Sequence, residues 1–273
     1  MITKIKNIIM KKTDVIKSII ETGSEISGGI GSALLSAVIP GTTGIIVGGA
    51  AAPILTKIFT DIGTEIQNRF LSSREVMRTG AAYTFAIDRI RQNENEGHTL
   101  RDDDFFEPID NNRPASEELL EAIILSAQRE SEELKLKFLG NLYANICFHP
   151  EINRAHANQI IKNSNTLSFQ QFCILQLFYE KLQDTRALKV PKLRADGNWE
   201  IKVIDIISET RELQQKGLIS IDSRMNESDL SSPIPLAKVN ITSVGKTFCE
   251  LLSLNQIDNG ILSKLNDVTE IKY

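Results

Sequence analysis

The chain has 273 residues, of which 41% are hydrophobic and 24% charged, and these ordinary proportions exclude a predominantly disordered protein. Its three cysteines are too few and too widely spaced for a disulfide framework, so we expect a reducing, cytoplasmic location. A formal net charge of -4 argues against a protein whose main task is to coat nucleic acid. The charge is uneven, because residues 1–24 carry +3 and the remainder therefore carries -7.

The first twenty residues have the spacing of an amphipathic helix with a basic polar face. Isoleucines recur three and four residues apart, at positions 5, 8, 9, 16, 19 and 20, and the lysines between them include Lys4, Lys6, Lys11 and Lys12. Such a helix can lie on an anionic membrane surface, and it can equally pack its isoleucines on the rest of the protein. A cleavable signal peptide fits poorly, because the basic region is long and no small-x-small cleavage site follows.

Residues 26–56 contain no Asp, Glu, Lys, Arg or His. A single helix of 31 residues would measure about 46 Å, more than the roughly 30 Å core of a bilayer. The sequence Pro40-Gly41-Thr42-Thr43-Gly44 predicts a turn, however, and each arm on either side of it would reach only about 21 Å. A permanent transmembrane hairpin is therefore disfavoured, and a conditional association with the inner membrane is the form of membrane contact that we expect.

Small residues repeat every four positions in this charge-free segment. The repeats are Gly28, Ser32 and Ser36; Gly29, Ala33 and Ala37; and Gly44, Gly48 and Ala52. Such spacing lets helix backbones approach closely in lipid or in a tight core. It predicts self-association through Gly28, Gly29, Gly44 and Gly48, although a hairpin buried permanently in the protein's own core would explain the same residues.

Helices are predicted through the middle of the chain. One continues over 57–71 with Ile58, Ile62, Ile66 and Phe70 on one face, and Ser72 with Glu75 predicts a capped start for the next, over 74–93. A long polar loop follows over 93–114. Pro114 and the acidic residues after it open a helix that we expect to reach Ile146. Its apolar stripe is formed by Leu120, Ile124, Ala127, Leu134, Phe138 and Leu142.

Two clusters in this region have side chains that bind metals. Asp102, Asp103 and Asp104 offer oxygen ligands, but adjacent residues rarely converge on one ion, so we expect a solvated acidic loop with Phe105 and Phe106 packed into the body. Cys147, His149 and His156 lack a fourth ligand at a zinc-binding spacing. Because no catalytic motif is present either, we predict a non-enzymatic protein without catalytic residues, metal or cofactor. An enzyme that uses the aspartates and a metal is the weakest of three hypotheses.

The last third has the element order of a winged-helix module. A helix over 169–182 precedes another over 200–216, for which we expect Ile201, Ile204, Ile207 and Leu213 to face inward. Two short strands, 218–221 and 238–241, flank a polar loop, and Thr242 caps a final helix. The helix before the loop has three positive and four negative residues, so a protein partner is favoured and nucleic acid is disfavoured.

Motifs over residues 130–252 resemble the bacterial Abi-alpha (abortive infection alpha) family. They are the run from Phe138 to Asn145, His156, Ile160-Ile161, Leu167-Ser168, Gly217-Leu218-Ile219, Thr242, Gly245 and Phe248. The resemblance implies a role in phage defence by abortive infection and brings no catalytic residues with it. The amino-terminal part resembles only uncharacterised bacterial proteins.

These observations predict a mainly α-helical fold in three parts. Residues 1–72 form the basic helix and glycine-rich hairpin, 73–164 a helical domain, and 165–273 a winged-helix-like domain with a small β-hairpin. The leading hypothesis is a phage-defence effector that associates with or permeabilises the inner membrane. The alternative is a soluble adaptor or regulatory protein whose winged-helix module binds a protein partner or DNA.

Overall fold

The computed structural model describes residues 52–67, 71–110, 112–182, 201–221 and 239–268. Within these ranges the chain has nine α-helices and one small antiparallel sheet, which confirms the predicted mainly helical fold with a hairpin near the carboxyl end. The chain divides into two compact units between Thr166 and Leu167. The predicted basic helix over 1–20 and the greater part of the glycine-rich segment, up to residue 51, lie outside the described residues.

The first unit is entirely helical in its described part. Its helices are α1 (Ala52–Gln67), α2 (Ser73–Asn95), α3 (Ala115–Arg129), α4 (Leu136–Ile146) and α5 (Arg154–Thr166), with 3-10 turns at Asp104–Phe106 and Glu133–Lys135. The start of α2 is the predicted capping box, in which the Glu75 amide donates to the Ser72 hydroxyl and the Ser72 amide donates to the Glu75 carboxylate. Helices α2 and α4 form the centre of the core because Gly140 lets their backbones meet. A Cβ there would lie 2.5 Å from the Ala82 carbonyl oxygen.

Helix α1 packs on this core through the stripe that its sequence predicts. Leu55, Ile58, Phe59, Ile62 and Ile66 are all at most 3% exposed. The Phe59 ring makes edge contacts with the rings of Tyr83 and Tyr143, at centroid distances of 4.8 and 5.6 Å. The Tyr83 hydroxyl also donates a hydrogen bond to the Phe59 carbonyl oxygen, so the helix is held by both apolar and polar contacts. Phe70, which was predicted to extend the stripe, lies outside the described residues.

The single helix predicted from Pro114 to Ile146 is wrong, because α3 ends at Arg129 and α4 starts at Leu136. Glu130 has an extended backbone, with ψ of 126°, and its carboxylate lies 2.5 Å from the ammonium group of the buried Lys135. Leu134, which was placed in the apolar stripe, is 37% exposed. The break allows α4 to lie against both α2 and α3. The sequence signal for this break was Ser131 followed by two glutamates, a pattern typical of a helix start.

The second unit contains the helices α6 (Phe169–Leu182), α7 (Ile201–Gln215), α8 (Ser243–Leu252) and α9 (Asn259–Val268), and the strands β1 (Ile219–Ile221) and β2 (Val239–Ile241). The strands pair antiparallel with Ile219 opposite Ile241. Between α7 and β1, Gly217 adopts a φ of +70°, which glycine accepts without strain. The predicted loop between the strands, 222–237, and the first residue of the predicted second strand lie outside the described residues.

The contact between α8 and β1 explains the Thr-x-x-Gly sequence at the start of α8. The Thr242 hydroxyl accepts from the Gly245 amide at 3.0 Å and lies 2.7 Å from the Gly217 carbonyl oxygen, to which it donates. A Cβ on Gly245 would lie 2.0 Å from the Leu218 carbonyl oxygen. Only glycine therefore fits at this position without moving the helix away from the strand.

Helix α7 presents a different face to the core from the one predicted. Ile201 is 77% and Ile204 50% exposed, and Ile207 is half-buried. The buried stripe consists of Val203, Ile206, Thr210 and Leu213, of which only Leu213 was predicted to face inward. Both stripes have helical spacing, but the predicted one continues into the polar residues Ser208 and Arg211. The stripe that is buried in the core ends at Leu213, just before the turn at Gly217 and strand β1.

Candidate functional site

The residues predicted to bind membranes and to drive assembly all precede the described part of the chain. They are Lys4, Lys6, Lys11 and Lys12, and Gly28, Gly29, Gly44 and Gly48. The described structure begins inside the same charge-free segment, whose last five residues, 52–56, open α1. Leu55 is fully buried there, whereas Ile54 is 40% exposed. The carboxyl end of the charge-free segment is thus anchored in the first unit.

A groove of about 440 Å³ lies beside the start of α1. Its apolar lining comes from α1 and from the loop before α3, and consists of Ile54, Ile58, Phe106, Pro108 and Pro114. A second depression of about 300 Å³ adjoins it and shares Asn112 and Arg113. Ile109, which is 50% exposed, and the carboxylates of Asp104 and Glu107 belong to this second depression. We call the surface that the two depressions form together, apolar at one end and lined by charges of both signs at the other, the α1 groove.

The shape of the α1 groove depends on Arg101, whose side chain has no exposed donor left. Its five N–H groups have five acceptors: both carboxylate oxygens of Asp103 and the carbonyl oxygens of Ile146, Pro150 and Ile152. Its guanidinium also lies 4.3 Å from the centre of the Phe105 ring. At 6% exposure this arginine ties the loop after α2 to the segment between α4 and α5. This role of Arg101 was not predicted, since an arginine two residues before an aspartate is its only local signal in the sequence.

The Arg101 contacts account for the aspartate cluster. Hydrogen bonding by the guanidinium lowers the pKa of Asp103, so this carboxylate is an anion held by the protein itself. Phe105 and Phe106 are buried, at 3% and 8% exposure, which confirms their predicted packing. Among the described residues no group of three His, Cys, Asp or Glu side chains is arranged to hold a metal ion. Of the three aspartates, Asp103 is part of the loop structure, and Asp102 and Asp104 are exposed at its surface.

The cysteines and histidines lie in unrelated surroundings. Cys147 is fully buried, and this burial raises its pKa to about 12, so the thiol is not a nucleophile at neutral pH. Cys173 and Cys249 are also free and buried. His149 pairs with Glu151 at 2.6 Å on the surface. The His156 amide donates to the Asn153 side chain, which caps α5.

Four carboxylates of the loop, those of Asp102, Asp104, Glu107 and Asp110, are exposed. None of them forms an ion pair with a cation in the described part of the chain. Four cations line the two depressions. They are Lys57; Arg101, which pairs with Asp103; Arg113, which pairs with Glu117 at 3.7 Å and Glu121 at 2.8 Å; and Arg154, which pairs with Glu118. They equal in number the carboxylates of the lining, which belong to Asp103, Asp104, Glu107 and Glu117.

In the second unit, the surface of α7 carries balanced charge. Its described basic residues, Lys202 and Arg211 with Lys216 just beyond the helix, are balanced by Asp205, Glu209 and Glu212. Glu209 and Glu212 accept hydrogen bonds from Ser168 and Gln171 at the start of α6, at 3.0 and 2.7 Å, and burial raises the pKa of Glu209. Two large apolar side chains of α7, Ile201 and Ile204, are exposed beside polar residues such as Lys202 and Asp205.

Comparison of the chain with protein-family models, with curated proteins and with solved structures finds no match. Several residues that carry the resemblance to the Abi-alpha family have structural roles in the described units. Gly140 permits the contact of α2 and α4, Ser168 and Gln171 form the capping box of α6, and Thr242 and Gly245 join α8 to β1. Each of these contacts helps to hold the elements of its unit together.

No helix in the described ranges combines the length and the apolar character that a membrane crossing requires. The longest of these helices, α2, has 23 residues and a polar face with several ionisable side chains.

Proposed function

We propose that this protein is a non-enzymatic effector of bacterial phage defence, acting by abortive infection. Residues 1–51 associate with or permeabilise the inner membrane, and the described units hold and present this segment. The observation that carries the proposal is the junction at α1. A segment without charge for 31 residues runs directly into a helix whose Leu55 and Phe59 are fully buried in the first unit. An inserted segment would therefore be connected to the body by a firmly packed anchor.

Residues 1–51 would act in two steps, attraction to the membrane surface and then assembly within it. Lys4, Lys6, Lys11 and Lys12 attract the segment to anionic lipid, with about 1 kcal/mol for each lysine near the surface. Gly28, Gly29, Gly44 and Gly48 then let segments from several protomers pack closely, which compensates for arms shorter than the bilayer core. Damage to the membrane follows from assembly and requires no catalytic residue.

The surroundings of the reactive side chains support a non-enzymatic role. Asp103 is held by Arg101, Cys147 is buried with a raised pKa, and His149 pairs with Glu151 on the surface. Three of the candidates for chemistry that the sequence offered thus have structural surroundings in the first unit.

The glycines provide the test. The full-length chain with the double substitution Gly44→Leu and Gly48→Leu is expressed in bacteria that are then challenged with phage. Plaque formation and membrane potential are measured. We expect loss of both protection and depolarisation, because leucine prevents close helix contact. The matched control, Ile45→Leu with Ile46→Leu, adds the same side chains without removing a small residue and should keep both activities. Unchanged depolarisation in the glycine variant would contradict the proposal.

A second candidate function, that of an adaptor acting through the second unit, is favoured by the exposed face of α7. Ile201 and Ile204 are exposed on the helix that precedes β1, and the described charges of this region balance. Such a surface suits a protein partner better than DNA, which attracts a clearly basic face. The variant Ile201→Ser with Ile204→Ser should abolish phage protection and leave membrane association unchanged if this function is the correct one. A steep fall of DNA affinity with salt would instead favour a nucleic-acid partner.

A further inference from the structure

The connector between α3 and α4, residues 130–135, interrupts a sequence that has the character of one helix. No proline occurs from Ala115 to Ile146, and the one glycine of this range, Gly140, lies inside α4. At 100° per residue, the six residues of the predicted apolar stripe would fall within about 80° of one another in a continuous helix. Glutamate, leucine and lysine, which all favour helices, make up five of the six connector residues. Apart from the start signal at Ser131, local preference therefore favours one continuous helix.

Two ion pairs hold the connector in its broken form. The Lys135 ammonium group, on a side chain only 2% exposed, lies 2.5 Å from the Glu130 carboxylate, and Glu133 pairs with Arg78 of α2 at 3.4 Å. In a continuous helix, positions 130 and 135 would lie about 140° apart around the axis, so the first pair could not form. A buried charge is costly unless its partner is in place. The broken form thus depends on a buried ion pair, while Leu134 of the same connector is 37% exposed.

A continuous helix would have stabilising contacts of its own. Glu133 stands four residues before Lys137, which is the spacing and order that stabilise a helix best. A helix from Ala115 to Ile146 would be about 48 Å long and would carry α4 away from α2 of its own chain. The surfaces of α2 and α4 that meet at Gly140 would then be open. A second copy of the chain, opened in the same way, offers both matching surfaces.

We propose that residues 130–135 are a hinge for domain swapping between two copies of this chain. In the swapped dimer, α3 and α4 form one helix, and α4 of each chain packs on α2 of the other. The contacts within the core are the same in both arrangements, so their relative free energy is set by the connector and by the protein concentration. The buried pair of Lys135 and Glu130 favours the closed chain. This association requires neither the glycines of residues 1–51 nor the proposed membrane function.

Cross-linking across the hinge in the full chain shows which arrangement is present. Glu118 of α3 and Arg154 of α5 form a surface ion pair, and the hinge lies between them in the sequence. Both are changed to cysteine and joined by a short bismaleimide, while the described native cysteines are buried. The link lies within one chain in the closed form and between two chains in the swapped dimer, and a denaturing gel separates these products. Closed chains that associate only through residues 1–51 would give the product of the closed form.

Removal of the buried pair should favour the dimer. Glu130→Gln with Lys135→Met removes both charges, so neither remains buried without its partner. We expect several-fold more link between chains than in the parent that carries only the two cysteines. The matched control, Glu107→Gln with Lys162→Met, removes two exposed charges of the same unit and should behave as the parent does. Equal yields for the hinge variant and its control would overturn the proposal.

The substitution Ser131→Pro should prevent swapping and leave the closed chain intact. Glu130 has a φ of -68° and a ψ of 126°, which suit a residue before proline. No hydrogen bond of the Ser131 amide is found in the described part of the chain. Inside a helix, by contrast, proline removes a hydrogen bond and clashes with the preceding turn. Added to Glu130→Gln with Lys135→Met, it should abolish the link between chains, and persistence of that link would overturn the proposal.

Refolding provides a readout that leaves the buried pair unchanged, and it decides the matter if the variant without the pair does not fold. The parent with the two cysteines, and the same chain with Ser131→Pro, are unfolded in urea and refolded at increasing protein concentration. We expect the share of links between chains to rise with concentration in the parent and to stay near zero with Ser131→Pro. Equal shares in the two chains, or a share in the parent that does not depend on concentration, would overturn the proposal.

Discussion

Helices α1 and α7 both carry isoleucines at helical spacing, yet they use them in opposite ways. In α1, Ile58, Ile62 and Ile66 are buried as the spacing predicts. In α7, Ile201 and Ile204 face solvent, and Val203 and Ile206 take the core. The difference arises because α1 has a single apolar stripe, opposite charged and hydroxyl side chains, whereas α7 has two. Where a helix has two apolar stripes, the one that the core leaves exposed is a candidate binding surface.

The largest effect is expected from Phe59→Ala in α1. Phe59 is fully buried between the rings of Tyr83 and Tyr143, so its truncation should lower the free energy of unfolding by about 3–5 kcal/mol. Urea unfolding followed by circular dichroism measures the loss. A loss below about 1 kcal/mol would mean that α1 is only loosely attached, and the contrast with α7 would fail.

Truncation of the buried stripe of α7 should give the next largest effect. Ile206 is 4% exposed, and Ile206→Ala should lower the free energy of unfolding by about 2–5 kcal/mol. The comparison is made in the same urea experiment. If Ile206→Ala were harmless, the inward face of α7 would have been assigned wrongly.

Tyr83→Phe examines the polar part of the α1 attachment and should have a smaller effect. The change removes only the hydroxyl that donates to the Phe59 carbonyl oxygen and leaves the ring contact in place. We expect a loss of about 0.5–1.5 kcal/mol, the usual net contribution of one hydrogen bond. A loss as large as that of Phe59→Ala would place most of the attachment in this bond, contrary to our account.

The smallest effect is expected from Ile204→Ala, which is chemically identical to Ile206→Ala but lies on the exposed stripe. Because Ile204 is 50% exposed, the free energy of unfolding should change by no more than about 0.5 kcal/mol. The decisive result is the ratio of the losses in the free energy of unfolding for Ile206→Ala and Ile204→Ala. Similar losses at the two positions would show that both stripes of α7 are covered in the protein.

Local patterns predicted much of the fold. The capping box at Ser72 and Glu75, the turn at Gly217, the two short strands and the cap at Thr242 all depend on neighbouring residues, and the structure confirms each. The single helix to Ile146 was wrong because the buried pair of Lys135 and Glu130 depends on tertiary packing. The predicted inward face of α7 was wrong for the same reason, since packing of the whole unit selected one of two stripes that both have helical spacing.

The candidate site was less predictable than the fold. The membrane and assembly residues came from composition and spacing in residues 1–51, which lie outside the described structure. The α1 groove was not predicted, because it brings α1 together with the loop around Pro108 from more than forty residues away. Arg101 likewise finds its acceptors at Ile146, Pro150 and Ile152. Such contacts between distant parts of the chain have no local signature in one sequence.

The central claim is that residues 1–51 carry the membrane association and that the described units anchor them. Membrane fractionation with carbonate washing, applied to the full chain and to a chain that lacks residues 1–51, tests it most directly. The deletion must end before Ala52, because Leu55 belongs to the core. We predict that the full chain, once phage infection has begun, stays in the washed membrane pellet and that the truncated chain stays folded in the supernatant. An equal distribution of the two chains in infected cells would contradict the account.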